Sequence, residues 1–411
     1  MISKLYNISM LLFIYSILGC ITFRFEDTLF IYGTIAITLF LSFVVVAKQK
    51  GVIRWGKYNS WYITVNLYWV ISIIWSMDKK KYFEVLNPYI LLVFISMVLV
   101  TIYLREYQCY EKLLRYIVIA AVVVGIRCIA ATDISSIFMY YNRGMFAAKL
   151  LTQRVSYNYF TTGFALAAVV AFYLAYIKKI KSFYLAYFFL TIVCTISGSR
   201  KSIIISVLAG ILFLLFHKRD VKLVKKFGTI ILIFIVVYTL IFKVPTLYHA
   251  VGEIMEDLFR SLLGLSQDII EPSIIEREFF KRKAWEIFFN NPIVGVGANN
   301  YSAVLQSINY GHAVYAHNNF LEILADGGLI GFFIYYSFYV YNLFFALSRY
   351  KRNKYSDETI LALVFIIALL IMEYGQITYM NPSAQLIFMS VIIGYSRFEL
   401  AQSYHQMNLA R

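Results

Sequence analysis

LYNISMLLFIYSILGCITF, residues 5–23, is an uncharged apolar run, followed at once by a second at residues 29–47. Each is close to the ~20 residues that cross the hydrocarbon of a bilayer as a helix. The first run has no small-residue cleavage site behind it, so it reads as a retained helix rather than a signal peptide. Similar runs recur at 61–76, 85–104, 113–131, 157–177, 183–197, 202–216, 227–242, 328–347, 359–374 and 384–396. Backbone polar groups must be satisfied within lipid, which makes each run a helix. The chain of 411 residues is 61% hydrophobic and 15% charged, against roughly 45–50% and about 25% in soluble domains. The expected fold is all-α, a polytopic membrane helix bundle of about twelve spans.

The formal net charge is +16. Its distribution fits membrane topology rather than nucleic-acid binding. Lys48, Lys50, Arg54 and Lys57, then Lys178, Lys179 and Lys181, then Lys218 to Lys226, then Arg349 to Lys354 fall in alternate loops. Positive loops stay in the cytoplasm, so both termini are expected there. Lys79, Lys80 and Lys81 run against the trend, flanked by Asp78 and Glu84. The four cysteines form no CxxC or Cys/His cluster, so neither a disulfide framework nor a zinc site is expected. No acidic pair suggests a metal, with Asp133, Glu253, Glu256 and Asp257 the acidic residues left to consider.

This topology puts residues 243–320 outside the membrane as one long extracytoplasmic loop. A loop of that length in a compact protein is usually functional. Its Phe279, Phe280, Trp285, Phe288 and Phe289 can bury a small core. Residues 274–290 suit an amphipathic helix with Arg277, Lys281 and Ala284 on one face and a Glu278–Arg282 pair, stopped by Asn290-Asn291-Pro292. Arg277, Lys281, Arg282 and Lys283 read either as a solvated face or as a phosphate clamp, since a guanidinium fork matches phosphate oxygens. The glycines of Asn291-Pro292-Ile293-Val294-Gly295-Val296-Gly297 read either as turn residues or as a close approach to ligand. His317-Asn318 precedes a span. His317 could accept a proton near neutral pH, and Asn318 could fix a hydroxyl or cap the helix. His312 shares the loop but follows Gly311 in a turn-like segment. On the same outer side, Ser197-Gly198-Ser199-Arg200-Lys201-Ser202 forms a tight turn whose two cations either snorkel to headgroups or act on substrate.

These motifs, in this order and spacing, resemble the O-antigen ligase/polymerase superfamily. Arg277 stands fifteen residues before Pro292, Gly295 and Gly297 follow, and His317-Asn318 leads to Gly327-Gly328 and Gly331. Ser199-Arg200 resembles the family's other recurrent arginine, and Tyr157-Asn158-Tyr159 is a fainter echo. Lys201 departs from the family, where a glycine commonly follows the arginine. The resemblance implies a GT-C-like membrane glycosyltransferase with its site at the outer leaflet and neither cofactor nor metal. It implies that Arg200 and Arg277 hold the pyrophosphate and that His317 is the catalytic residue; Lys201, Lys281 and Asn318 are further substrate-binding candidates from the residues themselves, with no family counterpart asserted for Lys281, Arg282 or Lys283. The implied donor and acceptor are undecaprenyl-pyrophosphate-linked glycans in the bacterial cytoplasmic membrane, with membrane lipid, a flippase and a chain-length regulator as candidate partners and no nucleic acid.

The expected organisation is N-terminal helices 1–154, a core 155–347 that includes the outer loop, and C-terminal helices 348–411. The expected function is polymerisation of lipid-linked repeat units of O-antigen, capsule or exopolysaccharide. A ligase that transfers finished glycan to lipid A core or protein shares the motifs. A flippase would carry charges deep in several spans, whereas here the spans are nearly charge-free, with Arg127 and Glu373 among the exceptions.

Overall fold

A computed structural model describes residues 2–19, 26–49, 53, 55–85, 90–105, 109–130, 157–196, 199–217, 272–307, 315–352 and 355–409, with a few isolated positions between 228 and 256. Among them every regular element is helical. In chain order they are α1 (Ile2–Gly19), α2 (Glu26–Gln49), α3 (Lys57–Ile71), α4 (Lys79–Val85), α5 (Leu92–Tyr103), α6 (Tyr110–Ala130), α7 (Tyr157–Tyr176), α8 (Ser182–Ile196), α9 (Arg200–Phe216), α10 (Pro272–Asn290), α11 (Asn300–Ser307), α12 (Asn319–Lys351), α13 (Asp357–Glu373) and α14 (Pro382–Leu409). Helices α1, α2, α6 and α12 are long and apolar enough to cross a bilayer, and α5, α7, α8 and α9 are shorter apolar helices. The chain is a multi-pass membrane protein of all-α class. The expected span 227–242 lies largely outside the described residues, as does Pro88.

Two compact units emerge. One comprises Met1–Ala121 with Arg277–Arg411, the other Val122–Glu276. In the second, α7 packs against α8 and α9. In the first, α12 packs on α3 and α13, and α14 on α5, α13 and α1. Trp61 of α3 stacks on Phe338 of α12 at 4.9 Å, and its indole Nε1 donates to the Ile334 carbonyl at 2.8 Å. Local chemistry fixes the helix ends. Pro272 and Pro382 occupy first helical positions, where a missing N–H costs nothing, and Asn381 caps α14 by accepting from Ala384 N at 3.0 Å.

The expected span 328–347 starts at a break within a longer helical element. Its helix begins nine residues earlier, at Asn319, because the Asn318 side chain caps it by accepting from Leu321 N at 3.1 Å. Gly328 then breaks it, with φ 59 and ψ −164, a conformation essentially restricted to glycine. The break removes the helical bonds from Leu329 N to Ala325 O, from Ile330 N to Asp326 O and from Gly331 N to Gly327 O. The turn after α10 replaces the first two, and the Tyr68 hydroxyl bridges the groups of the third. Leu329 N donates to Pro292 O at 2.9 Å and Ile330 N to Ile293 O at 3.1 Å. Val296 N donates to Ala325 O at 3.0 Å and Gly297 N to Asp326 O at 2.9 Å. The Asn-Pro-x-x-Gly-x-Gly motif therefore acts as a backbone clasp on a broken helix.

The clasp closes without room for side chains. A Cβ on Gly328 would lie 2.4 Å from the Ile293 backbone, and one on Gly295 2.4 Å from the Asp326 backbone. Helix α3 and the turn after it buttress the clasp from the far side. Tyr68 donates its hydroxyl to Gly327 O, Trp75 donates Nε1 to Val294 O at 3.1 Å, and Met77 N bonds Val296 O at 3.3 Å. We expect Gly328→Ala to destabilise the protein by more than about 2 kcal/mol, from backbone strain and the collision together. Gly33→Ala, where the added Cβ meets nothing within 4 Å, should leave the melting temperature in detergent unchanged. Equal melting temperatures for the two variants would contradict the clasp.

Candidate functional site

Around the clasp lies a small apolar core. Phe280, Ala284 and Ile287 of α10 bury one stripe against Val296, Tyr301 and Leu305, Ala316, and Leu321, Leu324 and Ala325 of α12. Of the five aromatics expected to build it, Phe280 is central and Phe279 and Phe288 flank it. Trp285 and Phe289 are instead 42% and 70% exposed.

Polar anchors set the geometry of that core. The Asp326 carboxylate sits at the N-terminus of α11, where a negative charge is favoured. Its Oδ1 accepts from Tyr301 N at 2.7 Å, and its Oδ2 from Asn299 N at 3.0 Å and the Tyr379 hydroxyl at 2.8 Å. Asn299 takes φ 58, a left-handed conformation that asparagine tolerates. The buried Tyr301 hydroxyl donates to Phe280 O at 2.8 Å. Burial, with Glu322 and Asp326 beside it, holds that phenol well above its ordinary pKa, so it remains a donor. Asp326 and Tyr301 thus tie α10 to the broken helix.

His317 sits at the end of this chain of contacts. It adopts φ 53, and its ring lies 4.1 Å from that of Tyr315 and stacks on Phe280 at 5.9 Å. Ala316 N, immediately before it, donates to Glu322 Oε2 at 2.5 Å. The histidine turn is held from both sides. Asn318 caps α12, so of its two expected roles the structural one is visible.

The other sequence-predicted residues divide between the two units. Arg277 is half-buried on α10, one turn before Phe280 and Lys281. Lys281 pairs with Glu278 at 2.9 Å and lies 5.7 Å over the Tyr374 ring. The expected Glu278–Arg282 pair is replaced by this pair and by Lys283–Glu286 at 2.7 Å, both at i, i+3, which the side chains span as readily as i, i+4. Lys201 and Arg200 open α9 in the unit Val122–Glu276, where Ser199 Oγ and Ser202 Oγ lie 2.8 Å apart. The Arg200 side chain, His312, Asp133, Glu253 and Asp257 lie outside the described residues.

Lys281, Asn318 and Tyr374 also line an open cavity of about 580 Å³, with Arg282, Trp285 and Phe320 among its other walls. Beneath it runs a buried polar network. Asn319 Oδ1 accepts from Thr378 N at 2.9 Å and Tyr379 N at 3.2 Å, and its Nδ2 donates to the Tyr336 hydroxyl at 2.9 Å. Glu373 accepts from the hydroxyls of Tyr336 at 2.9 Å and Tyr339 at 3.3 Å, and from that of Thr378. Sequence reasoning missed Tyr301, Tyr379 and the α3 aromatics as parts of this arrangement. An aspartate at position 326, in an otherwise apolar approach to a span, was the one available signal.

Residues 185–336 match the family model for O-antigen ligase. No curated protein matches the chain. The match places this region, from α8 through the clasp and into α12, in the O-antigen ligase/polymerase superfamily. Membership implies an enzyme of glycosyl transfer acting on lipid-linked glycans.

The two anchors should differ in weight. Tyr301→Phe removes one donated hydrogen bond and should cost about 1 kcal/mol. Asp326→Asn leaves at least one backbone or hydroxyl donor facing an amide N–H₂ in a buried setting, and should cost about 3 kcal/mol. Unfolding in detergent followed by circular dichroism measures both. Asparagine tolerated as well as phenylalanine would mean that Asp326 does not organise the site.

Proposed function

We propose that this O-antigen ligase/polymerase-type protein is a polymerase, which joins undecaprenyl-pyrophosphate-linked repeat units at the outer leaflet of the bacterial cytoplasmic membrane, with both termini cytoplasmic. The observation that carries the reading is the stacking of His317 on Phe280, a member of the small core that lies three residues after Arg277 on the same helix. It couples a proton acceptor to a cationic helix through rigid contacts. Glycosyl transfer from a lipid pyrophosphate needs both groups.

In this mechanism an acceptor sugar hydroxyl attacks the anomeric carbon of the donor. The new C–O glycosidic bond forms as the bond to the pyrophosphate oxygen breaks, and the electron pair leaves with the pyrophosphate. His317 takes the hydroxyl proton and returns it to solvent. Arg277 and Arg200 neutralise the charge that builds on the leaving group, with Lys201 and Lys281 adding positive potential and Asn318 near the acceptor. Stabilising that developing charge is the larger contribution, and proton transfer adds about 10²–10⁴-fold. The polymerase reading is supported by the way the chain keeps the shared motifs and diverges elsewhere. The family description favours a ligase as the second reading.

Glycan profiles from a deletion strain separate the two. A polymerase mutant accumulates lipid-linked single repeats, whereas a ligase mutant makes full-length chains that stay on the carrier lipid. Complementation with Arg277→Ala or His317→Ala should fail at normal protein levels, and His312→Ala should restore most of the polymer. Wild-type chain lengths from His317→Ala would remove the histidine from the mechanism, and full-length unattached chains in the deletion strain would make the protein a ligase.

A further inference from the structure

The open cavity beside the histidine turn has walls from three separate parts of the chain. Trp285 and Arg282 come from α10, Asn318 and Phe320 from the start of α12, and Tyr374 from the residue after α13. Its volume of about 580 Å³ falls within the ~300–1,000 Å³ of small-molecule sites.

Three aromatic rings face it. Trp285 is 42% exposed and Tyr374 67% exposed, so much of each ring is uncovered by protein, with the Lys281 ammonium 5.7 Å over the Tyr374 ring. Both are held in place. Trp285 stacks on Phe289 at 5.6 Å. Tyr374 follows Glu373, which Tyr336 and Thr378 bond, and Asn319 pins the backbone of Thr378 and Tyr379 just beyond it. Phe320 stacks on Tyr336 at 4.8 Å. Rigid aromatic faces around a concave space offer ring-shaped ligands contact area at low entropic cost.

The charge of the lining selects further. Glu278, Lys281 and Arg282 sum to +1. Glu278 offsets Lys281 at 2.9 Å, which leaves Arg282 to set the sign. A guanidinium fork pairs with a planar carboxylate through two parallel hydrogen bonds. A ring with an apolar C–H face and a carboxylate on its edge satisfies the aromatic walls and Arg282 together. A lipid phosphate satisfies Arg282 alone.

We propose that this groove is an acceptor-sugar subsite that takes an acidic sugar, a hexuronate, and that Arg282 reads its carboxylate while Trp285 and Tyr374 contact its ring. Asn318, which lines the groove, directly follows His317 in the chain, so the groove opens at the end of the histidine turn. The inference rests on the glycosyl-transfer reading, but its test does not require turnover.

The full-length protein in detergent is titrated with methyl β-D-glucuronide while tryptophan fluorescence is followed. The same titration of Trp285→Phe isolates Trp285 from the other four tryptophans. We expect a saturable Trp285 signal with the glucuronide and at least a tenfold weaker one with methyl β-D-glucoside. Arg282→Gln should weaken glucuronide binding at least tenfold, leave glucoside binding unchanged and melt like the parent, because Arg282 lies on an exposed face. Inorganic pyrophosphate should not displace the glucuronide. Equal binding of the two sugars overturns the charge selection. Displacement by pyrophosphate at lower concentration than free glucuronate makes the groove a phosphate site. No saturable signal from either sugar removes the subsite. Glucuronide binding with a deletion strain that makes normal glycan would leave the subsite standing and sink the transfer reading instead.

Discussion

Three helical hydrogen bonds are missing at Gly328, and the rest of the site depends on how they are replaced. An unsatisfied N–H or C=O costs several kcal/mol in a membrane setting. The break therefore persists only because Pro292, Ile293, Val296 and Gly297 supply partners for four of the groups it frees and Tyr68 for the other two. The same four bonds fix the turn after α10. Helix and turn each make the other's conformation possible, and glycine is required on both sides because the backbones approach to within the space of a Cβ.

The consequence for function is positional. Residues 296–301 wrap Ala325 and Asp326, and Asp326 holds Tyr301, which holds α10 through Phe280. Helix α10 carries Arg277, Lys281 and Arg282, and its Phe280 ring supports His317. The break thus converts one long membrane helix into a platform. Residues 329–351 are long enough, at roughly 35 Å, to cross the hydrocarbon. Residues 319–327 stay with the small core and present their capped end to the groove. Sites formed at broken helices are a general means of bringing polar backbone to a membrane boundary without exposing it to lipid.

Much of this was legible in the sequence and some was not. The all-helical class followed from the apolar runs, and the stop at Asn290-Asn291-Pro292 from turn chemistry. Gly295 and Gly297 were readable as conformationally demanding, but their partner was not, because pairing between a turn and a distant helix break leaves no periodicity. The helical stretch ahead of Gly328 was not read for a related reason. Hydropathy rises only at Gly328, whereas the helix is set by the Asn318 cap. Nothing local in the sequence distinguishes a tryptophan at a membrane interface from one such as Trp75, which bonds a carbonyl more than two hundred residues away. Glu373 was readable as a charge within a span, yet the hydroxyl and amide partners of Glu373 and Asp326 come from two helices and the turns beside them and could not be assigned in advance.

Amide hydrogen exchange tests the clasp most directly. The amides of Val296, Gly297, Leu329 and Ile330 should be protected together in detergent or nanodiscs. In a Gly295→Ala variant, whose added Cβ would meet the Asp326 backbone, all four should lose protection as one unit while α13 amides stay protected. Continued protection of Leu329 and Ile330 with rapid exchange at Val296 and Gly297 would mean that the helix closes its own bonds. The account of the site built on the break would then be wrong.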